Sequence, residues 1–194
     1  MTTQTPLGSQ GDALTKSLNW LLEEEGGWSD HPNDKGGQTF NGVTQGTYDD
    51  WRERVVKLPK QTVRKATASE IRNLYEVLYW RAAGCDRLPW PLSYITFDAA
   101  VNSGVSRAVR WLQGGLGVEQ DGKVGPGTLG AANAAVQSGD AAKILATVDQ
   151  RVQFLVALVR RDSGQLAFLL GWWRRTQRVL GRALLTQNET EASA

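Results

Sequence analysis

Three consecutive glutamates, Glu23, Glu24 and Glu25, run into the pair Gly26-Gly27, and Asp34 and Thr39 follow in a polar stretch. Carboxylates beside the point where a helix opens into glycine suit general acid-base work. One held protonated can give up a proton, and one left ionised can stabilise positive charge. On a helical wheel with Leu14 at zero, Leu18 falls near ~40°, Leu21 near ~−20°, Leu22 near ~80° and Glu25 near ~20°. Only Glu25 therefore continues the apolar stripe, while Glu23 points away and Glu24 lies at its margin. Partial desolvation and the negative end of the helix dipole both favour the protonated carboxyl at that position.

Asp34 lies in turn chemistry, where retained water keeps a carboxylate ionised, and Thr39 has a hydroxyl able to orient a water. A protonated Glu25 and an ionised Asp34 would divide their roles as the carboxylate pair of glycoside hydrolysis does. Each residue also has a plainer reading: Asn-Asp and Asp-Lys-Gly-Gly are what any tight turn prefers, and a β-branched threonine suits a strand.

These residues need particular elements to hold them. Asp12 is a good N-cap for a first helix that Gly26-Gly27 ends. "HPNDKGG" reads as turn and "QTFNGVT" as a short strand candidate, which together predict a small hairpin. Thr47 with Asp50 resembles a capping box for a helix reaching about Val56. Thr67 with Glu70 opens a longer one with Ile71, Leu74, Leu78 and Ala82 on one face. The prolines of "LPWPL" break the chain. "SYITFDAAVN" is helical up to Ser103-Gly104, Ser106 caps "RAVRWLQ", and "DGKVGPGT" is a turn before a short helix. Helical spacing returns from Asp140 to Arg161 and from Gln165 to Leu185. The pattern predicts an α+β protein, mainly α, with one small β-hairpin near the start. Three parts follow: a lobe over 12–90 with Glu25 and the hairpin, a helical lobe over 91–185 packed on it, and a flexible tail over 186–194.

Composition narrows the classes. A net charge of +2, from 22 basic and 20 acidic residues among 194, is too mild for a dedicated nucleic-acid binder. One cysteine, Cys85, and one histidine, His31, cannot form an internal disulfide or the usual zinc sites. A nucleophilic Cys85–His31 pair is formally available, but a small buried thiol at a helix end is the plainer reading. The polar N-terminal residues lack the features of a secretory signal, and no stretch matches a membrane span. Cytoplasmic accumulation is expected, with no membrane partner.

Glu25-Gly26-Gly27-Trp28 followed by "NDKGGQTFNGVT" resembles the opening signature of the glycoside hydrolase 108 family, which includes secretion-activator proteins and phage endolysins. "LYEVLYWRAAGCDRLPWPLSYITFDAAVNSGVSRAVRWLQ" through "DGKVGPGTL" is similar to the companion region of these proteins, a predicted peptidoglycan-binding domain. The two motifs in order span about residues 12–183. The resemblance implies a lysozyme-like fold and a muramidase that cuts the β-1,4 bond between N-acetylmuramic acid and N-acetylglucosamine without any cofactor or metal. It implies Glu25 as the catalytic acid, with Asp34 and Thr39 completing a triad like that of phage lysozymes. The Asp-to-Thr interval is one residue shorter than the usual pattern, and Trp28 stands where tyrosine is usual. Trp28, Asn41, Asp98 and Asn102 are the candidate sugar-binding residues. The last two lie four apart on a helix that would border the cleft, where an exposed polar pair is the equal alternative. The implied partners are peptidoglycan glycan strands and a holin for release, with the chain a monomer. A wall-binding module without catalysis, or a chitinase on the same scaffold, are the rival readings. The basic stretch "LVRRDSGQLAFLLGWWRRTQRV" could meet anionic wall polymers or simply be a solvated surface.

Overall fold

The structure, a computed structural model, describes residues 7–25, 28–29, 39–40 and 42–191. Of these, 7–12, 24–25, 28–29, 39 and 186–191 are described by their backbone alone. Helix α1 (Leu7–Glu25) leads into strands β1 (Trp28–Ser29), β2 (Thr39–Phe40) and β3 (Val43–Thr44). The remaining helices are α2 (Gln45–Asp50), α3 (Ala68–Tyr75), α4 (Leu92–Ser103), α5 (Val105–Leu116), α6 (Pro126–Gln137), α7 (Ala141–Arg161) and α8 (Leu166–Glu191). The fold is mainly α, as the periodicity predicts.

The stretch read as one strand, "QTFNGVT", holds two, β2 and β3. Gly42 has φ of 75°, the left-handed conformation a two-residue hairpin demands. β1 pairs antiparallel with β2, placing Trp28 opposite Phe40 and Ser29 opposite Thr39. β3 then sets Thr44 opposite Thr39 and Val43 opposite Phe40.

Three caps differ from expectation. α1 starts at Leu7, so Asp12 lies inside it; Gly8 and Gly11 weaken the first turns without breaking them. Thr44, not Thr47, caps α2: its hydroxyl accepts from the Thr47 N–H at 3.2 Å. Gly104, with φ of 87°, both ends α4 and begins α5 in place of Ser106. The Thr67–Glu70 capping box forms in full. α8 runs on to Glu191, so its backbone is helical through most of the stretch expected as a tail.

α4 is the centre of the molecule. Every residue from Leu92 to Ala100 is buried, polar ones included, because α1, α5, α7 and α8 all pack against it. α5 and α7 pack face to face at Gly115, where a methyl group would overlap the Thr147 hydroxyl and backbone. α3 passes directly into a π turn, Glu76–Arg81. The wider turn rotates the following residues, so Trp80 and Ala83 are buried where a regular helix would bury Leu78 and Ala82.

Candidate functional site

The buried face of α1 follows the wheel. Leu14, Leu18 and Leu21 are at most 5 % exposed and enter the main core. The helix ends at Glu25, one turn beyond Leu21 on the same stripe. Of the three glutamates, Glu23 has a structural partner: its carboxylate accepts from Arg182 Nη2 of α8 at 2.8 Å. The side chains of Glu24 and Glu25 lie outside the described residues.

Three residues beyond Glu25 the chain enters β1, and the sheet brings the backbones of Trp28 and Thr39 onto neighbouring strands. α1 thus runs almost directly into the sheet that carries Thr39. Asp34, Asn41 and His31 lie outside the described residues.

The strands are supported from behind. α2 follows β3 without a gap, and its Tyr48 and the adjoining Arg52 are buried. Arg52 Nη1 meets Glu70 Oε1 at 2.6 Å, its Nε donates to the Pro59 carbonyl at 2.6 Å, and the Tyr48 hydroxyl donates to Glu70 Oε2 at 3.0 Å. Burial would raise the Glu70 carboxyl. The Thr67 N–H, the Tyr48 hydroxyl and the charge of Arg52 outweigh it and hold the group below the ordinary glutamate range. This network locks α2, and the π turn Trp51–Val55 that continues it, to the start of α3.

Beside α1 lies an aromatic group. Trp20 meets Tyr94 edge-on at 5.0 Å, and Trp90 stacks on Tyr94 at 5.6 Å. Lys16 and Arg182 stand over the Trp20 ring at 5.4 and 5.3 Å. Burial first, and the nearby Asp98 charge second, push the Tyr94 hydroxyl up to about 12, so it stays neutral.

Asp98 is not a sugar ligand. It is 2 % exposed, and both its oxygens are taken: Arg151 of α7 donates to Oδ2 at 2.6 Å, and Arg175 of α8 donates twice to Oδ1 at 2.8 and 3.0 Å. A carboxylate in the middle of a fully buried helix must be neutralised there, and two guanidiniums do so. Sequence reasoning missed both arginines. The signal was an aspartate inside the otherwise apolar run "YITFDAAV", which demands a cationic partner. Asn102 is exposed one turn on, its amide donating to the Asp98 carbonyl at 2.7 Å.

Two further groups have packing roles. Cys85 is buried, and burial with the charge of Asp86 pushes its thiol well up, which disfavours the thiolate a nucleophile needs. Gln113 of α5 is the hub of the 121–128 turn. Its amide donates to Asp121 Oδ1, the Lys123 carbonyl and the Thr128 hydroxyl, and its carbonyl accepts from the Gly122 N–H.

A family model described as glycosyl hydrolase 108 matches residues 18–104, and one described as a predicted peptidoglycan domain matches 107–177. Their boundary falls at Gly104, where α4 passes into α5. The chain is 34% identical to SagA of Brucella abortus, a solved structure. The two superpose with a TM-score of 0.73, covering 90% of this chain and 95% of that one. No curated protein matches this chain.

Proposed function

This chain belongs to the glycosyl hydrolase 108 family and is a glycoside hydrolase acting on peptidoglycan; from that premise we propose that it is an N-acetylmuramidase with Glu25 as general acid. The bond cut is the β-1,4 link between N-acetylmuramic acid and N-acetylglucosamine. The Glu25 carboxyl gives its proton to the glycosidic oxygen as the bond from that oxygen to the muramic C1 breaks. Asp34 stabilises the positive charge that develops on the ring. A water, oriented with help from Thr39, adds its hydroxyl to C1 and its proton restores the carboxyl. Trp28, Asn41 and the exposed Asn102 are the residues we assign to the glycan, an aromatic face for a sugar ring and amides for its acetamido and hydroxyl groups.

The observation that carries this reading is the course of α1. Its buried leucines run to Leu21, and the helix ends one turn later at Glu25, three residues before a sheet whose middle strand holds Thr39. A carboxyl that ends an apolar stripe is the kind of group whose neutral form persists near neutral pH.

The test is Glu25→Gln. This variant should melt within a degree or two of the parent and release no sugar from purified walls. Mass spectrometry of the parent's products should show reducing N-acetylmuramic acid ends. Wall turnover that survives in Glu25→Gln sinks the assignment, and reducing N-acetylglucosamine ends would move the cut to the other bond.

A further inference from the structure

The α7–α8 pair carries a surface that hydrolysis does not use. Val152 and Val156 of α7, with Leu166, Leu170 and Trp173 of α8, line an open groove of about 350 Å³ in which every lining residue is apolar. Around it Leu166, Phe168 and Leu170 are 60, 58 and 56 % exposed, and Trp173 is 47 % exposed. Single exposed apolar residues are ordinary, but a contiguous patch marks a contact surface.

Charge selects the occupant. Arg160 and Arg161 end α7 and Arg174 follows Trp173; all three are exposed. Asp162 is the only acidic residue between Gln150 and Asn188, and its carboxylate is engaged in the turn, accepting from the Gly164 N–H at 3.0 Å and from Gln165 at 2.9 Å. A second copy in a two-fold contact would bring the same arginines to a shared rim with no free acid to answer them. A glycan needs polar partners, which the groove lacks. A surface offering acyl chains below and phosphates above satisfies both the groove and its rim.

We propose that the tip of the α7–α8 pair docks on an anionic phospholipid bilayer. Leu166, Phe168, Leu170 and Trp173 enter the boundary between headgroups and acyl chains, and Arg160, Arg161 and Arg174 meet lipid phosphates. Among the described residues no helix is long and apolar enough to cross a membrane, so the contact is interfacial. The proposal departs from the sequence expectation of no membrane partner. The reason is tertiary: α7 and α8 leave apolar residues uncovered that the sequence pattern alone would assign to a core.

Flotation of the full chain with vesicles tests it. The protein should rise with vesicles of mixed phosphatidylglycerol and phosphatidylcholine, and far less with pure phosphatidylcholine or in high salt. The double variant Leu166→Gln, Leu170→Gln should bind at least tenfold more weakly. The triple variant Arg160→Gln, Arg161→Gln, Arg174→Gln should bind roughly a hundredfold more weakly at low salt, from about 1 kcal/mol for each arginine. Both should keep the parent's melting temperature and its activity on lipid-free walls. Absence of flotation, or variants that float like the parent, overturns the proposal. So does light scattering that shows a dimer broken by the leucine variant while vesicles are ignored, which would give the groove to a second copy.

Discussion

Asp98 of α4 and Arg175 of α8, 77 residues apart in sequence, are joined by two hydrogen bonds to one carboxylate oxygen, at 2.8 and 3.0 Å. Arg151 holds the other oxygen, so one carboxylate ties three helices together.

Replacing Asp98 by asparagine should destabilise the protein by about 3–5 kcal/mol, because it leaves two arginines inside the fold without their counter-charge. Urea unfolding followed by circular dichroism reads the loss directly. If stability is unchanged and only the KM for wall fragments rises, Asp98 is a ligand after all.

Asp34→Asn should lower wall hydrolysis by roughly two orders of magnitude or more, as for loss of a positioned catalytic carboxylate. Thr39→Ala should cost less, since a water can still be held by other groups. Initial rates on purified walls, with pelleting to verify that binding persists, order the two. A larger loss at Thr39 than at Asp34 would reverse their roles.

The Glu70 carboxyl titrates lower in the folded protein than in the unfolded chain, so the unfolded chain takes up its proton first on acidification. Its stabilising contribution is fully present above the unfolded value, about 4.3, and is lost as pH falls through the depressed folded value. Stability measured from pH 7 down to pH 3 should fall more steeply for the parent than for Glu70→Gln. The two curves running parallel would show that the Arg52–Tyr48 network does not act on this carboxyl.

Gly115→Ala should destabilise by about 1–3 kcal/mol or more, because the added methyl meets the Thr147 hydroxyl and also the Thr147 backbone of α7, which cannot rotate out of its way. Gly130→Ala in α6, where nothing lies within 4 Å, should be neutral or mildly stabilising. Thermal melts of the two variants, compared side by side, decide whether close packing of α5 on α7 sets the difference.

Local signals were legible from sequence. The stripe Leu14, Leu18, Leu21 is the buried face of α1, the Thr67–Glu70 box caps α3, and α4 stops at Ser103-Gly104. What escaped depends on distant partners. A helical wheel cannot distinguish an exposed Asp98–Asn102 pair from a buried aspartate answered by Arg151 and Arg175, because the arginines come from helices far along the chain. The wheel also assumes a constant turn, so the π turn at Glu76–Arg81 moves burial from Leu78 and Ala82 to Trp80 and Ala83. Of the candidate site, the sequence located Glu25 at the end of α1 and Thr39 in a strand, but not the antiparallel pairing that sets Val43 of β3 opposite Phe40 of β2.

The two family regions meet at Gly104, yet the last helix before that point, α4, is enclosed by helices that come after it. Truncating the gene at codon 104 would therefore not yield a minimal enzyme. It would strip the casing from the innermost rod and leave Asp98 without its counter-ions, and such a fragment should be recovered from cells as insoluble material. Shuffling these halves among relatives requires the casing and the rod to be exchanged together.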